Sequence, residues 1–131
     1  MPSFSQRLLL FIIFTGVKEM DTVTREELKW ILDNEDDFVL INVLPREYFE
    51  KQHIEGSINI PIRDKNFDKK VLKRIPDKNK RIVVHCANTK SKASPRAARR
   101  LIKLGYNNVH GYGGGIKEFC SEYMCATEEV A

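Results

Sequence analysis

The run FVLINVL, Phe38–Leu44, is apolar at almost every position rather than at every second one. It is short, partly β-branched and bounded by polar clusters, which suits a strand buried on both faces, as in a parallel sheet. RIVVHC (81–86) reads as a second such strand. GSINIPI (56–62), stopped or left at an edge by Pro61, and NNVHGY (107–112) read as shorter ones. Helical segments lie between them. Thr24 and Glu27 have capping-box spacing, and the residues after them put Leu28, Ile31 and Leu32 on one face. PREYFEKQHI (45–54) opens with Pro and reads as a short helix. SPRAARRLIKLGY takes Ser94 as cap, Pro95 as first helical residue and Gly105 as stop. IKEFCSEYMCA (116–126) is a last helix after a glycine turn. Strands alternating with helices predict an α/β fold with a central, mostly parallel sheet.

The 131 residues suit a single domain over 21–131, preceded by an apolar segment at 1–20. Leu8–Val17 follows a lone Arg and resembles the apolar part of a secretory signal, but no small-x-small cleavage site follows. It reads as a segment packed on the domain, with export or membrane attachment through 8–17 as the alternative. No stretch reaches the roughly 18 apolar residues of a membrane span. Three cysteines are an odd count, which argues against a disulfide scaffold and for a reducing, cytoplasmic setting. A monomer is expected. A net charge of +4 favours small anions and is too small to point to nucleic acid. The span 63–81 holds nine basic and three acidic residues and reads as a solvated connection, with Phe67, Val71 and Leu72 anchoring a turn or two of helix.

The chemistry concentrates where the second strand ends. In open α/β sheets, ligands bind beyond the carboxyl ends of the strands, and Cys86 falls there. The small and polar residues after it allow backbone N–H groups to curl inward as an anion nest. The helix that follows adds its positive end, and Lys90 and Lys92 add charge. All three effects favour thiolate over thiol and predict a nucleophile at Cys86, with Ala87, Asn88, Thr89, Lys90, Ser91 and Lys92 as an anion-binding loop.

From about Thr22 to Phe119 the chain resembles a rhodanese-like domain, a sulfurtransferase family. LINVLPREYFEKQHIEGSINIP is similar to the family's first signature, an Asp-Val-Arg segment leading to Gly-His-Ile-x-Gly-Ala. IVVHCANTKSKASPRAARRLIKLGYNNVHGYGGGIKEF is similar to its catalytic strand, loop and helix and to the Gly-Gly-Ile turn near the domain end. The resemblance implies a five-stranded sheet with helices on both faces. It also implies that Cys86 accepts a sulfane sulfur from a small anion such as thiosulfate and passes it to cyanide, a thiol or a protein acceptor. No cofactor is implied, because sulfur itself is carried.

The chain departs from the pattern at several places. The signature's Asp is Asn42 and its Arg is Leu44, which fits an uncharged support better than one broken ion pair. Glu47 and His53 remain as supporting positions, although Gln52 replaces the glycine before His53. His53 also reads as a structural, hydrogen-bonding histidine. Ser91 stands where the family places an Arg, in a loop about two residues longer than the short form. A related subset has a second cysteine there, so a redox pair within this loop is excluded.

Two other readings compete. HCANTKSK is similar to the His-Cys-(five residues)-Arg loop of cysteine-dependent phosphatases and arsenate reductases. Lys92 ends it here, and an ammonium does not reproduce the guanidinium fork on phosphate. A rhodanese-fold module that binds a partner or senses sulfide, without catalysis, is the other. Cys120 and Cys125, five apart, do not share a helix face well and read as core packing or tail exposure. With His53, His85 and His110 they make no zinc spacing, and no metal is expected.

Overall fold

The computed structural model describes residues 21–87 and 92–127. The chain runs β1 (Asp21–Val23), α1 (Arg25–Asn34), β2 (Phe38–Asn42), α2 (Arg46–Lys51), β3 (Gln52–His53), β4 (Ile58–Asn59), α3 (Phe67–Arg74), β5 (Arg81–His85), α4 (Ala93–Lys103), β6 (Val109–Tyr112), α5 (Gly115–Glu122) and β7 (Ala126–Thr127). Among the described residues, five strands form one sheet in the order β1-β6-β5-β2-β4, and every neighbouring pair is parallel. β3 and β7 form a separate antiparallel pair.

Successive strand residues point to opposite faces, and both faces are covered. Ile41, Val43, Ile82, Val84 and Cys86 pack with Phe67 and Val71 of α3 and with Ala97, Ala98 and Leu101 of α4. On the other face Leu40, Val83 and Tyr112 pack with Leu28 and Ile31 of α1 and with Ile116 and Phe119 of α5. This two-sided burial explains why the runs at 38–44 and 81–86 lack polar alternation.

The helix ends follow local chemistry in two places. The Thr24 hydroxyl accepts from the Glu27 N–H at 3.0 Å, and the Glu27 carboxylate accepts from the Thr24 N–H at 3.0 Å, which completes the capping box. At the end of α4, the Gly105 N–H donates to the Ile102 carbonyl and the Tyr106 N–H to that of Leu101. This doubly bonded exit needs a left-handed residue, and Gly105 supplies it at φ 102°.

Four expectations are corrected. The helix at 93–103 begins at Ala93, with Lys92 in the cap position, so Ser94 does not cap it and Pro95 is its third residue. The helix at 46–51 stops at Lys51, because Gln52 and His53 turn into a strand. On α3 the buried anchors are Phe67 and Val71, followed by Ile75, while Leu72 is exposed.

The fourth correction concerns the two late cysteines. α5 ends at Glu122, where the Tyr123 N–H donates to the Phe119 carbonyl. The chain then reverses to pair Ala126 with His53. With the helix ended between them, the face argument no longer applies. Cys120 and Cys125 lie 5.7 Å apart at Cα and form a disulfide. That bond removes the cysteine-count argument for a reducing compartment. Among the described residues no helix is long and apolar enough to cross a membrane, and the 8–17 segment lies outside them.

Candidate functional site

Cys86 follows β5 directly, at the carboxyl end of the central strand. Its side chain is 1% exposed and belongs to the α3/α4 side of the core. Two helix starts converge on this strand end. The Ser94 hydroxyl, in the first turn of α4, donates to the Val84 carbonyl at 3.2 Å. The Ile116 N–H, in the first turn of α5, donates to the Cys86 carbonyl at 3.0 Å. The glycine turn makes the second contact possible. Gly115 has φ 80°, and a Cβ on Gly114 would stand 2.7 Å from the Tyr112 hydroxyl oxygen.

The loop residues are only partly in view. Ala87 is half-buried and Lys92 is exposed at the cap position of α4. Asn88, Thr89, Lys90 and Ser91 lie outside the described residues.

Behind the cysteine, on the opposite sheet face, the strand register aligns Asn59, Asn42, His85 and Tyr112 side by side. Asn42 is fully buried, and its side-chain oxygen accepts from the Leu44 N–H at 2.9 Å. Asn59 donates to the Asn42 and Leu44 carbonyls at 3.1 and 2.9 Å. Leu44 packs against the α3/α4 core. The support is therefore uncharged at both departing positions.

His53 is half-buried. Its Nδ1 lies 2.7 Å from the Phe49 carbonyl and its ring stacks on Phe49 at 3.9 Å, which is the structural role the sequence suggested. Glu47 is exposed in the first turn of α2, with no ion-pair partner among the described residues.

His85 is the residue that sequence reasoning passed over except as a metal candidate. It is fully buried, and desolvation lowers its pKa to about 4, with His53 pushing the same way and the Cys86 backbone opposing. It is neutral at pH 7. The signal available was parity: in a strand, His85 must face opposite to Cys86. Burial, with Glu118 nearby, likewise pushes the Tyr112 phenol upward.

The arrangement is a cysteine at the end of the central strand, with the first turns of two helices hydrogen-bonded to that strand end. That suits chemistry in which an anion arrives and an anion leaves.

The sequence profile of the rhodanese-like domain matches residues 24–122. The chain is 32% identical over 74 residues to the thiosulfate sulfurtransferase PspE of Escherichia coli K12, covering 56% of this chain and 67% of that protein. It is 37% identical over 108 residues to the mouse thiosulfate sulfurtransferase/rhodanese-like domain-containing protein 3, covering 74% and 66%. It therefore spans about two thirds of the length of these relatives. The crystal structure of the BH2092 protein from Bacillus halodurans superposes with a TM-score of 0.74 at 21% identity, over 92% of this chain and 85% of that one, which is a likeness of fold.

Proposed function

The chain belongs to the rhodanese-like domain family, and we propose that it is a sulfurtransferase working through a persulfide on Cys86. The Cys86 thiolate attacks the outer sulfur of thiosulfate. A Cys86–sulfur bond forms, the donor's sulfur–sulfur bond breaks, and sulfite leaves with the electron pair. Cyanide or a thiolate then attacks the terminal sulfur, and Cys86 departs as thiolate. Neither step needs a protein acid, which accords with a neutral His85 on the far side of the sheet.

The observation that carries this reading is the position of Cys86 at the carboxyl end of the central strand, with α4 and α5 both starting against that end. Helix N-termini and inward N–H groups stabilise the donor's negative oxygens and the persulfide anion. The loop at 87–92, without the family's arginine, supplies Lys90 and Lys92 as its positive charges.

The experiment is turnover with thiosulfate and cyanide, read as thiocyanate. The wild type should turn over and Cys86→Ser should not. A wild type that forms no thiocyanate but cleaves a phosphate ester would replace this reading with the phosphatase one. Inertness in both assays would replace it with a binding module.

A further inference from the structure

α4 shows two opposite stripes. Ala97, Ala98 and Leu101 are buried against the sheet. Arg96, Arg99, Arg100 and Lys103, spaced three and four apart, stand on the exposed side and with Ile62 line a groove of about 310 Å³. Arg100 is paired with Asp68 of α3 at 2.8 Å. Arg96, Arg99 and Lys103 have no carboxylate partner among the described residues. α3 extends the same surface, so that the two helices together carry eight basic side chains and one acidic. Like charges at these spacings weaken a helix. The stripe is therefore a cost to the fold, and binding accounts for it.

Its position is specific. The first turn of α4 is held to β5 through Ser94 and Val84, two residues before Cys86. The groove begins at Arg96, on the next residues of that helix. The groove thus starts two residues along the helix from the side chain that ties α4 to the strand carrying Cys86. We propose that this groove docks an acidic polypeptide segment, and that the segment belongs to a protein that takes the sulfur from Cys86. The proposal rests on the sulfurtransferase reading. In the step, the docked protein's thiolate attacks the terminal sulfur of the Cys86 persulfide, a new sulfur–sulfur bond forms on the acceptor, and Cys86 leaves as thiolate. A polypeptide fits better than nucleic acid. The groove is small, Ile62 gives it an apolar lining residue, and among the described residues no aromatic ring lines it for base stacking. Guanidinium forks match carboxylates bidentately.

The test uses the thiosulfate-loaded protein and two synthetic acceptors, one cysteine flanked by six glutamates or by six serines. The glutamate peptide should accept sulfur about tenfold faster at low salt. That advantage should vanish at ~0.5 M salt and in Arg96→Glu/Arg99→Glu, while the cyanide rate stays within about twofold because no diffusing protein has to be steered. Arg96→Gln/Arg99→Gln should fall between. Equal rates for the two peptides, or a preference that survives the charge reversal, would overturn the proposal. So would a single-stranded RNA that binds the groove more tightly than the glutamate peptide. If thiosulfate loads no sulfur, the sulfurtransferase reading fails. Binding of the labelled glutamate peptide, lost in the charge reversal, still supports the groove, and binding that is unchanged overturns it.

Discussion

The two faces of one sheet are built for different purposes. The face under α3 and α4 is apolar within, holds Cys86, and carries the basic helices outside. The face under α1 and α5 buries Asn42, His85 and Tyr112 in a row, is tied by a disulfide, and shows five acidic and three basic side chains on its helices. His85 and Cys86 are adjacent in sequence and lie on opposite sides. The contrast teaches that the proposed chemistry and the row of buried neutral polar side chains lie on opposite faces of the sheet.

The largest expected break is in that neutrality. Asn42→Asp places a carboxylate at a fully buried position, where Asn42 has no cationic hydrogen-bond partner among the described residues. It should cost roughly 3 kcal/mol in urea unfolding at pH 7. Adding Leu44→Arg should recover part of the loss, with a favourable coupling in the double-mutant cycle. An Asn42→Asp protein as stable as the wild type would show that the support tolerates charge.

Next is the pH response of the same row. The folded-state pKa of His85 is depressed to about 4 from an ordinary 6.5. The unfolded chain therefore binds the proton first as pH falls. Stability from this group is complete above about pH 6.5 and is lost progressively towards pH 4. Unfolding at pH 5 should show ~2 kcal/mol less stability than at pH 7. His85→Gln should flatten that slope, and an unchanged slope would remove His85 as its cause.

A slightly smaller effect is expected at the disulfide, which closes only the short loop from Cys120 to Cys125. Reduction, or Cys120→Ser with Cys125→Ser, should cost about 2 kcal/mol or less. Thermal unfolding reads the loss. Sulfur loading on Cys86 should be unchanged, since the bond lies on the support face. Loss of loading on reduction would show that the two faces are coupled.

Much of the fold was legible because local and global signals agree. FVLINVL and RIVVHC are apolar throughout because both sheet faces are covered. Thr24 with Glu27, and Gly105, mark helix ends through their own hydrogen bonds and backbone angles. The misreadings come where a distant partner decides. Ser94-Pro95 looks like a helix start, yet the Ser94 hydroxyl is taken by the Val84 carbonyl of the neighbouring strand, and the helix begins two residues earlier than that reading. The helix expected through Ala126 ends at Glu122, and Ala126 instead pairs with His53, more than seventy positions earlier in the chain. β1, only three residues, has no apolar run of its own and exists through pairing with β6. Of the candidate site, Cys86 and the glycine turn were readable from order alone. The row of Asn42, His85 and Tyr112 required the register between strands. Glu47 was placed by resemblance and stands exposed in the first turn of α2.

The central claim is that Cys86 carries sulfur, and intact mass after thiosulfate treatment tests it most directly. The account predicts that the wild type gains one sulfur atom, that cyanide removes it, and that Cys86→Ser gains none. A wild type whose mass is unchanged by thiosulfate, or a gain that persists in Cys86→Ser, would contradict it.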